Sequence, residues 1–325
     1  MTRLAVAFVL SLTVAMVSAQ APETADSYIA AAKKLAANEQ TALIQLCTAA
    51  PSAAPASTAP PDSREVAAPP ASSAWAREPM EVFDNLYYVG ERDFSAWAIT
   101  TSAGIIIVDA IYDYSVETQV VGGLKKLGLD PTQIKYVVIS HAHRDHSGGA
   151  ALLQQRFGAH VLMTAADWDF QARDPSKFPK AKRDMVVADG QKLTLGDTTL
   201  TFIHTPGHTP GTMSTLIPVK DGGKPHVAAL WGGTGFNFTT TTDRPTAYWF
   251  DAYITSAQRF RDAATKAGAD VFLSNHPNWD GSTTKMPALA TRAPGAPHPY
   301  VIGTQSLQNY LTIAELCAKA GRAKL

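Results

Sequence analysis

The chain has 325 residues, 46% of them hydrophobic, which is ample material for one large core. Its 28 basic and 28 acidic residues balance to zero net charge, which argues against a nucleic-acid-binding surface. Beyond the extreme N-terminus no stretch approaches the ~20 apolar residues of a membrane-spanning helix.

Residues 1–19 carry a lone Arg3, an apolar run over residues 4–17 and a small-residue end, Val17-Ser18-Ala19. This pattern predicts a secretory signal peptide cleaved after Ala19, and hence a periplasmic or secreted protein with no membrane span in the mature chain. The run is too short for a membrane anchor. Residues 20–75 read as an accessory segment. A helix is expected over residues 23–47, rich in Ala, Lys, Glu, Gln and Leu. Residues 51–73 then change to Ala, Pro and Ser without periodicity, the composition of an extended, mobile strap. Residues 76–325 are left for a catalytic domain that closes on a helix over residues 304–321, with Leu307, Tyr310, Leu311, Ile313, Leu316 and Cys317 apolar. The two cysteines, Cys47 and Cys317, lie near the ends of the two terminal helices. In an exported protein an even pair reads as a disulfide; two buried free thiols are the other reading, because sequence gives no distance.

The densest chemistry is His141-Ala142-His143-Arg144-Asp145-His146, directly after an apolar run at residues 136–140 that predicts a buried strand. So many polar groups at the mouth of a core strand are costly to bury unless something binds them. Neutral imidazole and carboxylate are standard Zn²⁺ ligands. On an extended backbone His141 and His143 point the same way, while Asp145 and His146 can face a second point in space, so the pattern suggests two metal sites. Two further apolar runs end in a histidine. Residues 199–203 lead to His208 within Thr205-Pro206-Gly207-His208-Thr209-Pro210-Gly211, and residues 270–273 lead to His276. One such histidine is an ordinary polar strand end; three strands that end in histidine, the cluster's own strand among them, read as a ligand set. His160, His226 and His298 are expected to be surface or structural, and His204 to stay outside the ligand set.

In order and separation these motifs resemble the metal ligands of the metallo-β-lactamase superfamily, over about residues 80–280. The resemblance implies a four-layer αβ/βα sandwich with a dizinc site at one edge of two packed sheets. The run Gly104-Ile105-Ile106-Ile107-Val108-Asp109 is similar to the family's early strand, whose terminal Asp buttresses a metal-binding His. Lactonase-like, glyoxalase-like and nuclease-like branches place a bridging Asp where Gly233 stands here, and the first and second β-lactamase subclasses a Cys. The third subclass, B3, uses no protein ligand at this point. Its pattern implies His141, His143 and His208 on one zinc and Asp145, His146 and His276 on the other. That subclass carries serines in the stretch equivalent to Gly233-Thr234-Gly235, and glycine supplies no hydroxyl for a substrate carboxylate.

The implied reaction is hydrolysis by a water that two Zn²⁺ ions, about 3.5–4 Å apart, activate at neutral pH. Asp145 is expected to act as ligand and catalytic group. Arg144, Trp231, Gly233 and Phe236 are expected to wall the substrate pocket, with Phe238 alongside them. A B3-type β-lactamase and a hydrolase of lactones, thioesters or other esters both follow from this reading. The partner is a small-molecule substrate, and the chain is expected to be a monomer.

Overall fold

The computed structural model describes residues 23–48, 69–238 and 240–325. The expected signal peptide and most of the Ala/Pro/Ser-rich strap lie outside the described residues.

Two sheets make the centre of the molecule. The first has seven strands in chain order: β1 (Met80–Phe83), β2 (Leu86–Tyr88), β3 (Trp97–Thr101), β4 (Gly104–Val108), β5 (Ile134–Val138), β6 (His160–Thr164) and β7 (Met185–Val187). The second runs in the reverse order β12, β11, β10, β9, β8, where β8 is Lys192–Leu195, β9 Thr198–His204, β10 Met213–Asp221, β11 Lys224–Trp231 and β12 Val271–Ser274. The apolar runs that predict strands at residues 104–109, 136–140, 199–203 and 270–273 become β4, β5, β9 and β12.

Alternation along each strand sends successive side chains to opposite faces. Ile106 and Val108 of β4, Leu162 of β6, Phe202 of β9 and Leu230 of β11 share the core between the sheets. Their neighbours Ile105, Ile107 and Val161 face outward under Val120, Leu124, Leu153 and Trp168. On the other side Ala229, Trp231 and Phe272 face Phe260 and Tyr310. The helices that cover the sheets, in chain order, are α1 (Ala25–Leu35), α2 (Gln45–Thr48), α3 (Ser72–Trp75), α4 (Gly122–Lys126), α5 (Arg144–Ser147), α6 (Ala150–Phe157), α7 (Ala165–Arg173), α8 (Thr246–Lys266), α9 (Ser282–Ala290) and α10 (Thr304–Arg322). The result is the expected αβ/βα sandwich. Each fully buried large side chain in these layers contributes about 1.5–3 kcal/mol.

The accessory segment is not one helix. It breaks after Leu35, where the Gln40 side chain accepts from the Ala37 N–H at 2.7 Å and donates to Ser306 Oγ at 2.7 Å, turning residues 38–44 into a 3₁₀ segment that lies along α10. Cys47 and Cys317 are joined as a disulfide that ties this segment to α10. Of the expected strap, the described part includes the short α3. Among the described residues no helix is long and apolar enough to cross a membrane.

Candidate metal centre

The ends of β4, β5, β9, β11 and β12 meet at one edge of the sandwich. Because β4 runs parallel to β5, Asp109, just past Val108, reaches across to Ser140, just past β5. The Asp109 carboxylate accepts from the Ser140 N–H at 2.7 Å and the Ser140 hydroxyl at 2.8 Å, and it stands 3.2 Å from His146 Nδ1. Asp109 and Ile111 hold left-handed backbone, φ 61° and 50°, costly conformations for residues with a β-carbon and most of all for a β-branched one. The turn they make is held by the α5 region: Ala110 N–H donates to His146 O and Gly149 N–H to Ile111 O. Asp167 of α7 binds the two ligand loops together, accepting from Ala142 N–H, Gly211 N–H and the Thr209 hydroxyl at 2.7–2.8 Å.

Six side chains converge there in two groups. His208 Nε2 lies 3.1 Å from His141 Nε2 and 3.1 Å from His143 Nδ1. His146 Nε2 lies 3.2 Å from both His276 Nε2 and Asp145 Oδ2, and Asp145 Oδ2 is 3.9 Å from His276 Nε2. The two groups adjoin, since donor atoms of His141, Asp145 and His146 also lie within 4.8 Å of one another.

The far nitrogen of each ring decides what the near one can be. His141 Nδ1 meets the Gly232 carbonyl at 2.7 Å, His208 Nδ1 the Gly235 carbonyl at 2.7 Å, and His276 Nδ1 the Asp93 carbonyl at 3.0 Å. A carbonyl only accepts, so each Nδ1 carries the proton and each Nε2 presents a bare lone pair to the centre. The lone pairs of His141 and His208, facing one another at 3.1 Å, repel unless a cation lies between them. This donor set, imidazoles oriented by carbonyls with a carboxylate beside them, fits Zn²⁺. Burial, reinforced by the neighbouring imidazoles, drives His141 and His208 well below the usual imidazole range and His276 down to about 4, so all three are neutral ligands at pH 7. Burial disfavours charge on His146 too, but Asp145 and Asp109 outweigh it and raise that ring to about 10. Two carboxylates around one imidazole thus call for positive charge at the second group. Asp145 is itself held well below the usual carboxylate range: burial opposes this, and His146, His143 and His276 overrule it.

Aromatic rings surround the centre. Phe94 stands edge-on to His276 at 5.3 Å and to Tyr112 at 5.0 Å, and Phe170 edge-on to His143 at 5.7 Å. None of these, nor the carbonyls of Asp93, Gly232 and Gly235, carried a sequence signal; a carbonyl is the same in every residue. The expected pocket wall needs correcting. Trp231 and Phe236 are 2% and 4% exposed and pack with Tyr253 in the outer core under α8, and Phe238 packs there against Phe250. Arg144 is engaged rather than free: Nε pairs with Asp113 at 2.7 Å, and the guanidinium lies over Tyr112, Tyr114 and Phe178. Gly233 does lie beside His208, where a β-carbon would stand 2.6 Å from His208 Cβ. His204 Nε2 donates to the Pro210 carbonyl, His160 pairs with Asp184, His226 with Asp270, and His298 stacks on Phe83, all outside the two groups.

Residues 90–221 match the family model of the metallo-beta-lactamase superfamily. The solved structure of BJP-1, a subclass B3 metallo-beta-lactamase of Bradyrhizobium japonicum, superposes with a TM-score of 0.63 at 30% identity, covering 74% of this chain and 91% of that one. The chain belongs to the metallo-beta-lactamase superfamily. Similar to it are also an N-acyl homoserine lactonase, AttM, of Azorhizobium caulinodans, 30% identical over 51% of this chain and 67% of that protein, and a hydroxyacylglutathione hydrolase of Acidiphilium cryptum, 38% identical over 26% and 31%. The chain thus spans between about a third and two thirds of the length of the curated relatives it matches. Within the superfamily its likeness to solved structures is to subclass B3, and its His-rich centre is where the superfamily's metal-binding site would be.

Proposed function

We propose that this protein is an exported dizinc hydrolase that opens a cyclic amide, a β-lactamase of the B3 type. The observation that carries the reading is the pair of three-residue groups, complete without a carboxylate or thiol from position 233. His141, His143 and His208 would hold one zinc, and Asp145, His146 and His276 the other. Bound Zn²⁺ supplies Lewis acidity, polarising a carbonyl and making water a nucleophile near pH 7. The chain's own contribution is position. Gly232, Gly235 and Asp93 fix three rings by their carbonyls, and Asp109 fixes His146 and the strand end at Ser140. Asp145, kept ionised by the imidazoles around it, accepts a hydrogen bond from the attacking water and aligns it. Phe94 and Phe170 exclude bulk water from the two flanks.

The other reading, a hydrolase of lactones, thioesters or other esters, is favoured by glycine at 233 and 235 and by the lactonase among the relatives. Export to the periplasm rests on the N-terminal sequence and agrees with the disulfide. A monomer working alone on a small molecule is the simplest assembly for such a site. Steady-state hydrolysis of a carbapenem and a homoserine lactone by the zinc-loaded protein, side by side, tests the choice. Carbapenem turnover with a kcat/KM above that for the lactone supports the B3 reading; lactone turnover alone overturns it.

A further inference from the structure

Beside the first three-histidine group lies a hollow of about 390 Å³ that no step above uses. It adjoins the centre through two residues. Phe170, on its wall, is the ring packed edge-on to His143, and Pro210 belongs to the turn that carries His208. Phe170 offers aromatic surface, the buried edge of Trp249 closes the floor, and Arg173 and Arg244 stand exposed at its rim. The charges there do not cancel. Asp169 is paired with Arg183 at 2.6 Å, and Asp243, which takes the Thr241 hydroxyl at 2.7 Å and feels the Arg244 charge, offsets only one of the two rim arginines, so one positive charge is left over. Among the described residues neither Arg173 nor Arg244 has an ion-pair partner, and the Arg244 guanidinium lies 5.6 and 5.9 Å over the rings of Tyr248 and Trp249. On the opposite side of the centre Arg144 is neutralised by Asp113, and the Thr234 hydroxyl is buried against Ser274. Anion-seeking groups are therefore placed in this hollow, next to aromatic surface, and not along the glycine stretch.

We infer that the hollow is a specificity subsite for the substrate's acyl arm and selects an aryl group that carries a carboxylate. The ring lies against Phe170, and the carboxylate meets Arg173 and Arg244 at the rim. This inference rests on the hydrolase reading and names the substrate class of that site.

The test compares benzylpenicillin with its α-carboxylated analogue, which differ by one carboxylate beside the phenyl ring. The readout is the ratio of the two kcat/KM values. The parent protein should favour the carboxylated penicillin by about three- to tenfold, the range for exposed charge pairs. Arg173→Ala with Arg244→Ala should bring the ratio to one. The double Glu variant should invert it, the double Lys variant should keep it, and salt at about 1 M should shrink it in the parent. A ratio unchanged across all variants overturns the subsite. If neither penicillin is hydrolysed, the B3 reading fails on its own, and the same ratio is then taken with phenylacetyl-homoserine lactone and its α-carboxylated analogue. If neither class turns over, calorimetric Kd values of the two penicillins on the zinc-loaded protein give the ratio, with the same outcome deciding.

Discussion

His141 Nε2 and His208 Nε2 stand 3.1 Å apart, while Nδ1 of the one is bonded to the Gly232 carbonyl and Nδ1 of the other to the Gly235 carbonyl. Both carbonyls belong to the short segment that leaves β11, so one piece of backbone fixes the tautomer of two rings from different loops. The arrangement leaves two buried lone pairs aimed at each other, which is stable only around a cation. The site is therefore built for a metal before any metal arrives, and its orienting groups are main-chain atoms that substitution cannot remove.

Metal content follows directly. The purified protein should hold two equivalents of Zn²⁺, lose turnover on dialysis against a chelator and regain it with Zn²⁺. At a free metal concentration about 100-fold above Kd, binding should stabilise the fold by about 2.7 kcal/mol per site, seen as a raised Tm. His208→Ala and His276→Ala should each retain one equivalent. Less than half an equivalent in the parent, with a melt indifferent to Zn²⁺, would exclude a metal centre.

Asp109→Ala should harm both the fold and the second group. The residue is 1% exposed and accepts two hydrogen bonds from Ser140, so its loss leaves a buried N–H unpaired at a cost of about 1–3 kcal/mol. It also frees His146, and removing such an outer partner commonly weakens metal affinity about 10–100-fold. Titration with Zn²⁺ should show one site weakened and the other near its parent value. Two unaltered sites would mean Asp109 serves the fold alone.

What the sequence made legible was carried by side-chain chemistry and period. The unbroken β-branched run at residues 105–108 and the histidines that end three strands mark both the sandwich and its edge. What it hid was contributed by the backbone or by distant packing. The carbonyls of Asp93, Gly232 and Gly235 have no residue signature. Trp231 ends a core strand and Phe236 follows it just as pocket residues would, yet both pack against Tyr253 of α8. Arg144 sits inside the ligand motif, yet Asp113 and three rings from other segments engage it. The break at residues 36–37 depends on Gln40 meeting Ser306, 266 positions away.

Opening the Cys47–Cys317 bond should release the N-terminal segment before the catalytic layers. The bond closes a loop of 270 residues, for which chain entropy sets a ceiling of about 5 kcal/mol, with measured gains usually nearer 2–4. Cys47→Ala with Cys317→Ala should lower the denaturation midpoint accordingly. Hydrogen exchange should rise in Ala25–Leu35 first and leave β4 and β5 protected. Equal protection of α1 in both proteins would mean packing on α10, not the bond, holds the segment.

Glu91 predicts a pH dependence in the chelated protein. It is fully buried, accepts a hydrogen bond from Ser115 on one oxygen, and among the described residues has no partner for the other. Burial accordingly raises its carboxyl to about 7, against about 4.3 in an unfolded chain. The folded form then keeps its proton while the unfolded form ionises. Stability from this group is present below about pH 4 and declines as pH rises to about 7, by about 4 kcal/mol in all. Glu91→Gln should flatten that slope and be the more stable protein at pH 8. Parallel stability curves for the two proteins between pH 4 and 8 would show that Glu91 is ionised in the fold.

Gly233 offers the sharpest discrimination among the superfamily's site designs. In branches with a carboxylate at this position, that side chain bridges the metals, and Gly233→Asp looks at first like a conversion to that design. The geometry forbids it. A β-carbon on Gly233 would stand 2.6 Å from His208 Cβ and 2.8 Å from ring atoms Cγ and Cδ2, so the new side chain is directed at the flank of a ligand rather than between the two groups. Something must shift, and His208, tied to the Gly235 carbonyl two residues on, is the nearest thing to move. Gly233→Asp should therefore lose about one equivalent of Zn²⁺ from the three-histidine group, with turnover down about 100-fold or more, at tenfold per 1.4 kcal/mol. Gly233→Ala, which adds only the offending carbon, should fall in the same direction by less. Metal analysis separates the alternatives: two tightly held equivalents in Gly233→Asp would mean that the segment after β11 can swing aside, and that a bridging carboxylate is one substitution away.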